Sequence, residues 1–155
     1  MIIYLRKEYH LNMANTTVTG WLNNLNTGER IKQECTEIEQ VLDYQKKCWN
    51  DGDIDGFMEG YWNSEELVFT SLHHKPAYGW KATLNRYRES YPNKERMGTF
   101  NYVILECKLL NDTIAQLNGT WELKRSYDHP KGDFYLTFRK LKDNWLIIKD
   151  STISY

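Results

Sequence analysis

Charge of one sign is missing from this 155-residue sequence: 20 Lys and Arg stand against 21 Asp and Glu, a formal net of −1. Such balance offers no basic footprint, so no nucleic-acid partner is expected, and the mixed charges read as a solvated surface. Long apolar runs are missing too. No stretch approaches the roughly 20 consecutive apolar residues that cross a bilayer, and no membrane partner is expected. The opening Met-Ile-Ile-Tyr-Leu-Arg-Lys is too short for a secretory core and has no small-residue cleavage site, which makes a cytoplasmic location the expectation. Cysteine is scarce and scattered. Cys35, Cys48 and Cys107 contain no CxxC pair, which excludes a zinc knuckle or a dithiol motif. Cys35 and Cys107 read as core-facing small hydrophobes, and no disulfide is required.

Aromatic residues are what the sequence has in excess, with six Trp and eleven Tyr. They supply large buried area together with a polar handle, which suits a ligand cavity or an interface.

The chain divides by texture. Residues 1–30, rich in Asn, Thr and Gly from residue 12 onward, hold no sustained period and read as an irregular N-terminal arm. Met13 is a second candidate for the first residue, and Trp21, Leu22 and Leu25 are candidates to tack the arm onto the body or onto a second subunit. From residue 31 periods appear. Ile31, Cys35, Ile38, Val41, Leu42 and Trp49 recur at helical spacing and predict a helix over 31–51. Gly52 suits its left-handed C-terminal stop. Asp53 suits the N-cap of a short second helix carrying Ile54, Phe57, Met58 and Tyr61 on one face. A short strand at 67–71 and an irregular piece holding His73, His74 and Pro76 follow. A third helix opens after Gly79, with Trp80, Leu84, Tyr87 and Tyr91 on one face, and stops at Pro92.

Beyond residue 99 the period becomes two. Strands are predicted at 99–109, 113–125, 133–141 and 145–154, joined by short polar turns into an antiparallel meander. In the first, Val103, Leu105, Cys107 and Leu109 share one face and Phe100, Tyr102 and Ile104 the other. In the second, Ala115, Leu117, Gly119, Trp121, Leu123 and Arg125 share a face, and Gly119 allows a sharp bend. The fold class is α+β: three N-terminal helices on a strongly curved antiparallel sheet, cone-shaped with one pocket. Apolar residues on both faces of the first long strand predict that a second copy covers the sheet, giving a homodimer.

Three pieces of sequence resemble the nuclear transport factor 2-like superfamily, the cystatin-like α+β cone, in its SnoaL-like and ketosteroid isomerase-like group. They are Trp-Asn-Asp-Gly-Asp-Ile-Asp-Gly-Phe-Met at 49–58, Gly79-Trp80 opening the third helix, and the Trp121 strand followed by Asn144-Trp145-Leu146-Ile147 before Asp150. The resemblance covers residues 31–154 and implies one cone domain over 31–155. It implies a pocket and leaves the reaction open, since the group holds isomerases, dehydratases, hydrolases, cyclases and non-catalytic assembly domains.

The pocket residues expected to touch a ligand are Tyr61, Trp80, Tyr87, Trp121 and Arg125. Arg125, at the end of an apolar face, is the candidate to hold a carboxylate or polarised oxygen bidentately; Arg139 is a weaker candidate of the same kind. The positions that carry acids and bases in the family are empty here. The first-strand base of a ketosteroid isomerase would fall at 69–71, which reads Phe-Thr-Ser, and the phenol position falls at Gln45, with Tyr44 pointing elsewhere. The Asp-His-Thr-Ser of relatives is Asp150-Ser151-Thr152-Ile153, so a pocket His is lost. His73, His74 and His129 read as loop and turn residues. No catalytic residue, cofactor or metal is therefore assigned. The functional expectation is a small apolar or aromatic ligand carrying an oxyanion, bound or converted without a cofactor by lyase, isomerase or hydrolase chemistry. A non-catalytic interaction or assembly domain is the alternative.

Overall fold

The computed structural model describes the backbone of residues 2–72 and 74–155, and side chains within 26–72 and 74–155. The chain forms two compact units, Met1–Glu34 and Cys35–Tyr155. The first is helical backbone throughout its described residues, part of α1 (Ile2–Asp51). In place of an irregular arm, residues 2–30 are therefore helix, and the helix predicted at 31–51 starts far earlier. The reason is physical. Asn, Thr and Gly each lower helix propensity by less than about 1 kcal/mol, and no proline, which would remove a backbone hydrogen bond, precedes Pro76. Propagation past poor helix formers costs little once a turn exists. The roles proposed for Trp21, Leu22 and Leu25 lie outside the described side chains, and His73 lies outside the described residues.

In the second unit α1 ends as its sequence predicts. Gly52 takes φ 83°, and the Asp53 carboxylate accepts a 2.8 Å bond from the Gly56 N–H to cap α2 (Ile54–Met58). β1 (Val68–Ser71) and β2 (His74–Tyr78) form an antiparallel pair, so His74 stands on a strand and the irregular piece is shorter than expected. α3 (Trp80–Ser90) follows Gly79 at φ 88° and ends ahead of Pro92. A fourth helix not foreseen in the sequence, α4 (Lys94–Met97), is capped by the Asn93 side chain, which accepts from the Arg96 N–H at 3.0 Å.

The four long strands β3 (Thr99–Leu109), β4 (Ile114–Lys124), β5 (Lys131–Leu141) and β6 (Asn144–Ser154) make the predicted meander. They belong to one open six-stranded sheet of order β2-β1-β6-β5-β4-β3, in which β1 joins β6 in parallel. The α+β class stands, with one parallel pair in an otherwise antiparallel curved sheet.

Two β-bulges decide which side chains face the core. In β3 the register slips between Ile104 and Glu106. Phe100, Tyr102 and Ile104 therefore pack on the core together with Cys107 and Leu109, whereas Val103 and Leu105 are exposed. The two predicted faces of this strand thus exchange partners at residue 105, because one extra residue reverses a period of two. In β6, Phe138 pairs with Ile147 and Thr137 with Lys149, leaving Ile148 unmatched. Ile147 and Asp150 are both buried as a result.

Cys35 on α1 and Cys107 on β3 form a disulfide across 72 residues of sequence, which corrects the expectation of two free core thiols. The helical stripe and the displaced strand face bring the two Cα atoms to 6.1 Å, inside the range a disulfide spans. Among the described residues no helix is long and apolar enough to cross a membrane.

Candidate functional site

A cavity of about 190 Å³ lies within the Cys35–Tyr155 unit, between the inner face of the sheet, α1, α2 and α3. Its walls are aromatic. Phe57, Phe69 and Tyr91 surround Tyr87 with ring centroids 5.1, 5.6 and 6.2 Å away. Trp49 meets Phe57 edge-on at 5.1 Å, the geometry that ring quadrupoles favour.

The polar centre of this apolar cavity is Asp150, only 3 % exposed. Tyr61 Oη donates to its Oδ2 at 2.7 Å and Thr152 Oγ1 to its Oδ1 at 2.8 Å. Tyr87 Oη lies 3.1 Å from Tyr61 Oη, which extends the chain to a third hydroxyl. Burial pushes the Asp150 carboxyl up to about 6, and the two hydroxyl bonds only partly counter it. Burial first, then the charge of Asp150, holds the Tyr61 and Tyr87 phenols well above their ordinary range. Both phenols therefore act as hydrogen-bond donors at neutral pH.

Each member arrives from a different element. Tyr61 follows α2 and bridges in parallel to Ile147. Tyr87 lies on the inner face of α3. Asp150 reaches the cavity through the Ile148 bulge: strict alternation from the buried Trp145 and Ile147 would turn Lys149 inward and Asp150 out. This acid is the candidate site residue absent from the sequence expectation, and the pocket is not devoid of acids. The available signal was the pairing of the apolar Trp145-Leu146-Ile147 run with an acid three residues beyond Ile147.

Of the five residues expected at the pocket, Tyr61, Tyr87 and Trp121 line the cavity. Trp121 offers its ring there, while its Nε1 donates to the Ile153 carbonyl at 3.2 Å. Trp80 packs outside the cavity lining, with Nε1 donating to the Met58 carbonyl at 3.1 Å. Arg125 is not among the residues that line the cavity. β4 ends at Lys124, and a turn closes with the Arg125 N–H bonding the Asp128 carbonyl. Its guanidinium pairs with Asp128 at 3.3 Å and lies over the Tyr91 and Tyr127 rings, and its Nε has no partner among the described residues. Arg139 stacks over Trp62 instead of entering the cavity.

Gln45 is buried in the cavity wall and donates to the Phe57 carbonyl at 2.9 Å, while Tyr44 points out toward Glu59. His74 also reaches the cavity lining, from β2, while His129 bonds Glu122 in the β4–β5 turn. Among the described residues no cluster of three or more His, Cys, Asp or Glu is placed to hold a metal.

An aromatic cavity with a buried acid, between three helices and a bent sheet, belongs to a known class of α+β domain. The chain is 39 % identical to an NTF-2-like protein of unknown function from Shewanella oneidensis MR-1, with a TM-score of 0.74 over 77 % of this chain and 98 % of that one. It belongs to the NTF-2-like family. Its fold is also shared by a ketosteroid isomerase-like protein from Erwinia carotovora atroseptica (15 % identity, TM-score 0.63, 77 % and 94 % covered). A Catenulispora acidiphila protein solved in complex with S-DNPA shares it as well (13 % identity, TM-score 0.63, 79 % and 94 % covered). No protein-family model and no curated protein matches the sequence.

Proposed function

We propose that the cavity receives a small apolar or aromatic molecule bearing a carbonyl, and that Asp150 moves a proton beside that carbonyl. The observation that carries this reading is the buried Asp150 carboxyl at about 6, held by Tyr61 in an aromatic chamber. A general base works best with a pKa near the working pH, and burial is the means by which folds raise a carboxyl that far.

Proton bookkeeping links the two phenols to the Asp150 carboxyl. Tyr61 has one proton, spent on ionised Asp150, so Tyr87 donates to Tyr61. When Asp150 takes a proton from the ligand, it becomes a donor to Tyr61. Tyr61 then donates to Tyr87, and the Tyr87 O–H is released for the ligand oxygen. The carbon–hydrogen bond breaks, its proton rests on Asp150, and its electron pair passes into the carbonyl, whose negative oxygen meets Tyr87. Such a donor in a water-poor site stabilises the charge that develops there. Return of the proton to another carbon completes an isomerisation, and loss of a neighbouring leaving group completes an elimination. Neither needs a cofactor. The ketosteroid isomerase-like neighbour and the one holding S-DNPA support a ligand in this fold.

The test is a thermal-shift screen of small aromatic ketones, followed by NMR of deuterium uptake beside the carbonyl in D₂O. Stabilisation of the wild type with exchange lost in Asp150→Asn is expected. No stabilisation and no exchange above buffer overturns the reading and favours an assembly domain.

For partners, we propose a homodimer through the outer face of the sheet, where Val103, Leu105 and Tyr135 are exposed; sedimentation velocity reads it directly. The cytoplasm is kept as the location. The Cys35–Cys107 bond opposes it, because thiols stay reduced there. Alkylation of the protein in freshly lysed cells, followed by a thiol count, decides between them.

A further inference from the structure

Two polar atoms of cavity-lining residues have no partner. Ser71 Oγ and Arg86 Nη1 are shielded from solvent and make no hydrogen bond among the described residues. Three contacts bring them to the same end of the cavity. Ser71 pairs in register with His74 on β2. Arg86 Nη2 donates to the carbonyl of Lys75, the next residue of β2. The guanidinium also lies 5.3 Å over the ring of Phe69, two residues before Ser71 on β1.

A guanidinium keeps its charge at any pH a folded protein meets. A buried donor left unmatched costs about 1–3 kcal/mol, and more when the group is charged. Folds retain such a cost where a ligand removes it. An Arg N–H beside a Ser hydroxyl fits a carboxylate, which takes one hydrogen bond on each oxygen.

We propose that Ser71 Oγ and Arg86 Nη1 form an anion subsite that receives the carboxylate of the ligand, where β1, β2 and α3 meet. The inference rests on the reading of Asp150 given above and adds the class of ligand to it. The β1–β6 ladder supplies a ruler. Phe69 stands opposite Asp150 and Ser71 opposite Thr152, so the subsite lies one two-residue step, roughly 6–7 Å, from the proton-moving carboxyl. The ligand is then a small aryl keto acid whose carboxylate sits about that far from the carbon that loses its proton. This subsite takes the part that the sequence assigned to Arg125.

Isothermal titration with 7-oxo-7-phenylheptanoate, whose carboxylate carbon stands five bonds from the carbon beside its ketone, its methyl ester, the neutral ketone 1-phenylheptan-1-one and the shorter acid 4-oxo-4-phenylbutanoate tests the proposal. The wild type is expected to bind the longer acid about tenfold or more tightly than its ester, the worth of one charge-assisted hydrogen bond. 4-Oxo-4-phenylbutanoate, with only two bonds between those carbons, is too short to span the step and should gain little. Arg86→Gln should bring the acid-to-ester ratio close to one with ester affinity kept. Ser71→Ala, a change too small to threaten folding, should lower the ratio severalfold. If ester and ketone bind but the acid has no advantage, or if its advantage survives in both variants, the subsite is wrong and the pocket reading stands. If none of the four compounds binds, the pocket reading fails and the subsite fails with it.

Discussion

Tyr61 and Asp150 are 89 residues apart in sequence, and the phenol of one donates a 2.7 Å hydrogen bond to the carboxylate of the other in the interior of the Cys35–Tyr155 unit. That bond joins the third residue after α2 to the last strand. It also sets how Asp150 shares charge with its surroundings, and the first two predictions depend on it.

Asp150 should make the protein less stable as pH rises. Its carboxyl is raised from 3.8 to about 6 in the folded state. Between those values the folded chain therefore holds a proton that the unfolded chain has released, and stability falls as pH rises. The full advantage exists below about pH 4 and is gone above about pH 6, a difference of about 3 kcal/mol. Asp150→Asn, which cannot ionise, should match the wild type near pH 4 and exceed it at pH 7 to 8 by up to that amount. Urea midpoints across this range measure the difference. Parallel curves for the two proteins would refute a raised carboxyl.

Tyr61→Phe should raise the Asp150 carboxyl above about 6, because the lost hydrogen bond favours the ionised form. Carbon-13 NMR of the labelled aspartate side chains follows the titration. An unchanged midpoint would mean that burial alone governs this group.

Reduction should weaken the fold without dissolving the cavity. Closing a loop of 72 residues restrains the unfolded chain by about 4 kcal/mol in the chain-entropy account. Cys35→Ser with Cys107→Ser, or the wild type in dithiothreitol, should therefore unfold at lower urea by up to that amount. Cys48, buried and free, should stay unreactive toward alkylating reagents until unfolding. Equal stability with and without reductant contradicts the staple.

Gly119 should not accept a methyl group. A Cβ built there falls 2.2 Å from the Val103 carbonyl oxygen and 2.6 Å from the Phe134 ring, so the backbone of β3 or the core ring must move. Gly119→Ala should cost about 1–3 kcal/mol, read as a lowered urea midpoint. A neutral outcome would show that the sheet bends elsewhere.

Much of the architecture was legible in local chemistry. Gly52, Asp53, Gly79 and Pro92 place helix ends through backbone conformation and capping, effects confined to a few neighbouring residues. The meander follows from alternation and short polar turns, and three of five candidate pocket residues fall on the cavity because their helix or strand face is inherent in the spacing. The helical conformation of residues 2–30 escaped that reading because poor helix formers lower propensity without forbidding a helix. Register was beyond local chemistry altogether. Whether Leu105 or Ile148 is the residue a strand bulges out depends on what the partner strands offer opposite, β4 in one case and β5 in the other. Those two bulges bring Cys107 to Cys35 and turn Asp150 from the outer face into the cavity. Arg125 illustrates the converse: its alternation was right for a strand that ends one residue too soon. Composition and period settled the family of shapes and the aromatic character of the cavity, while its acid, the Arg86 Nη1 that has no partner among the described residues and the Cys35–Cys107 disulfide were decided by long-range pairing, where one inserted residue reverses every side chain that follows.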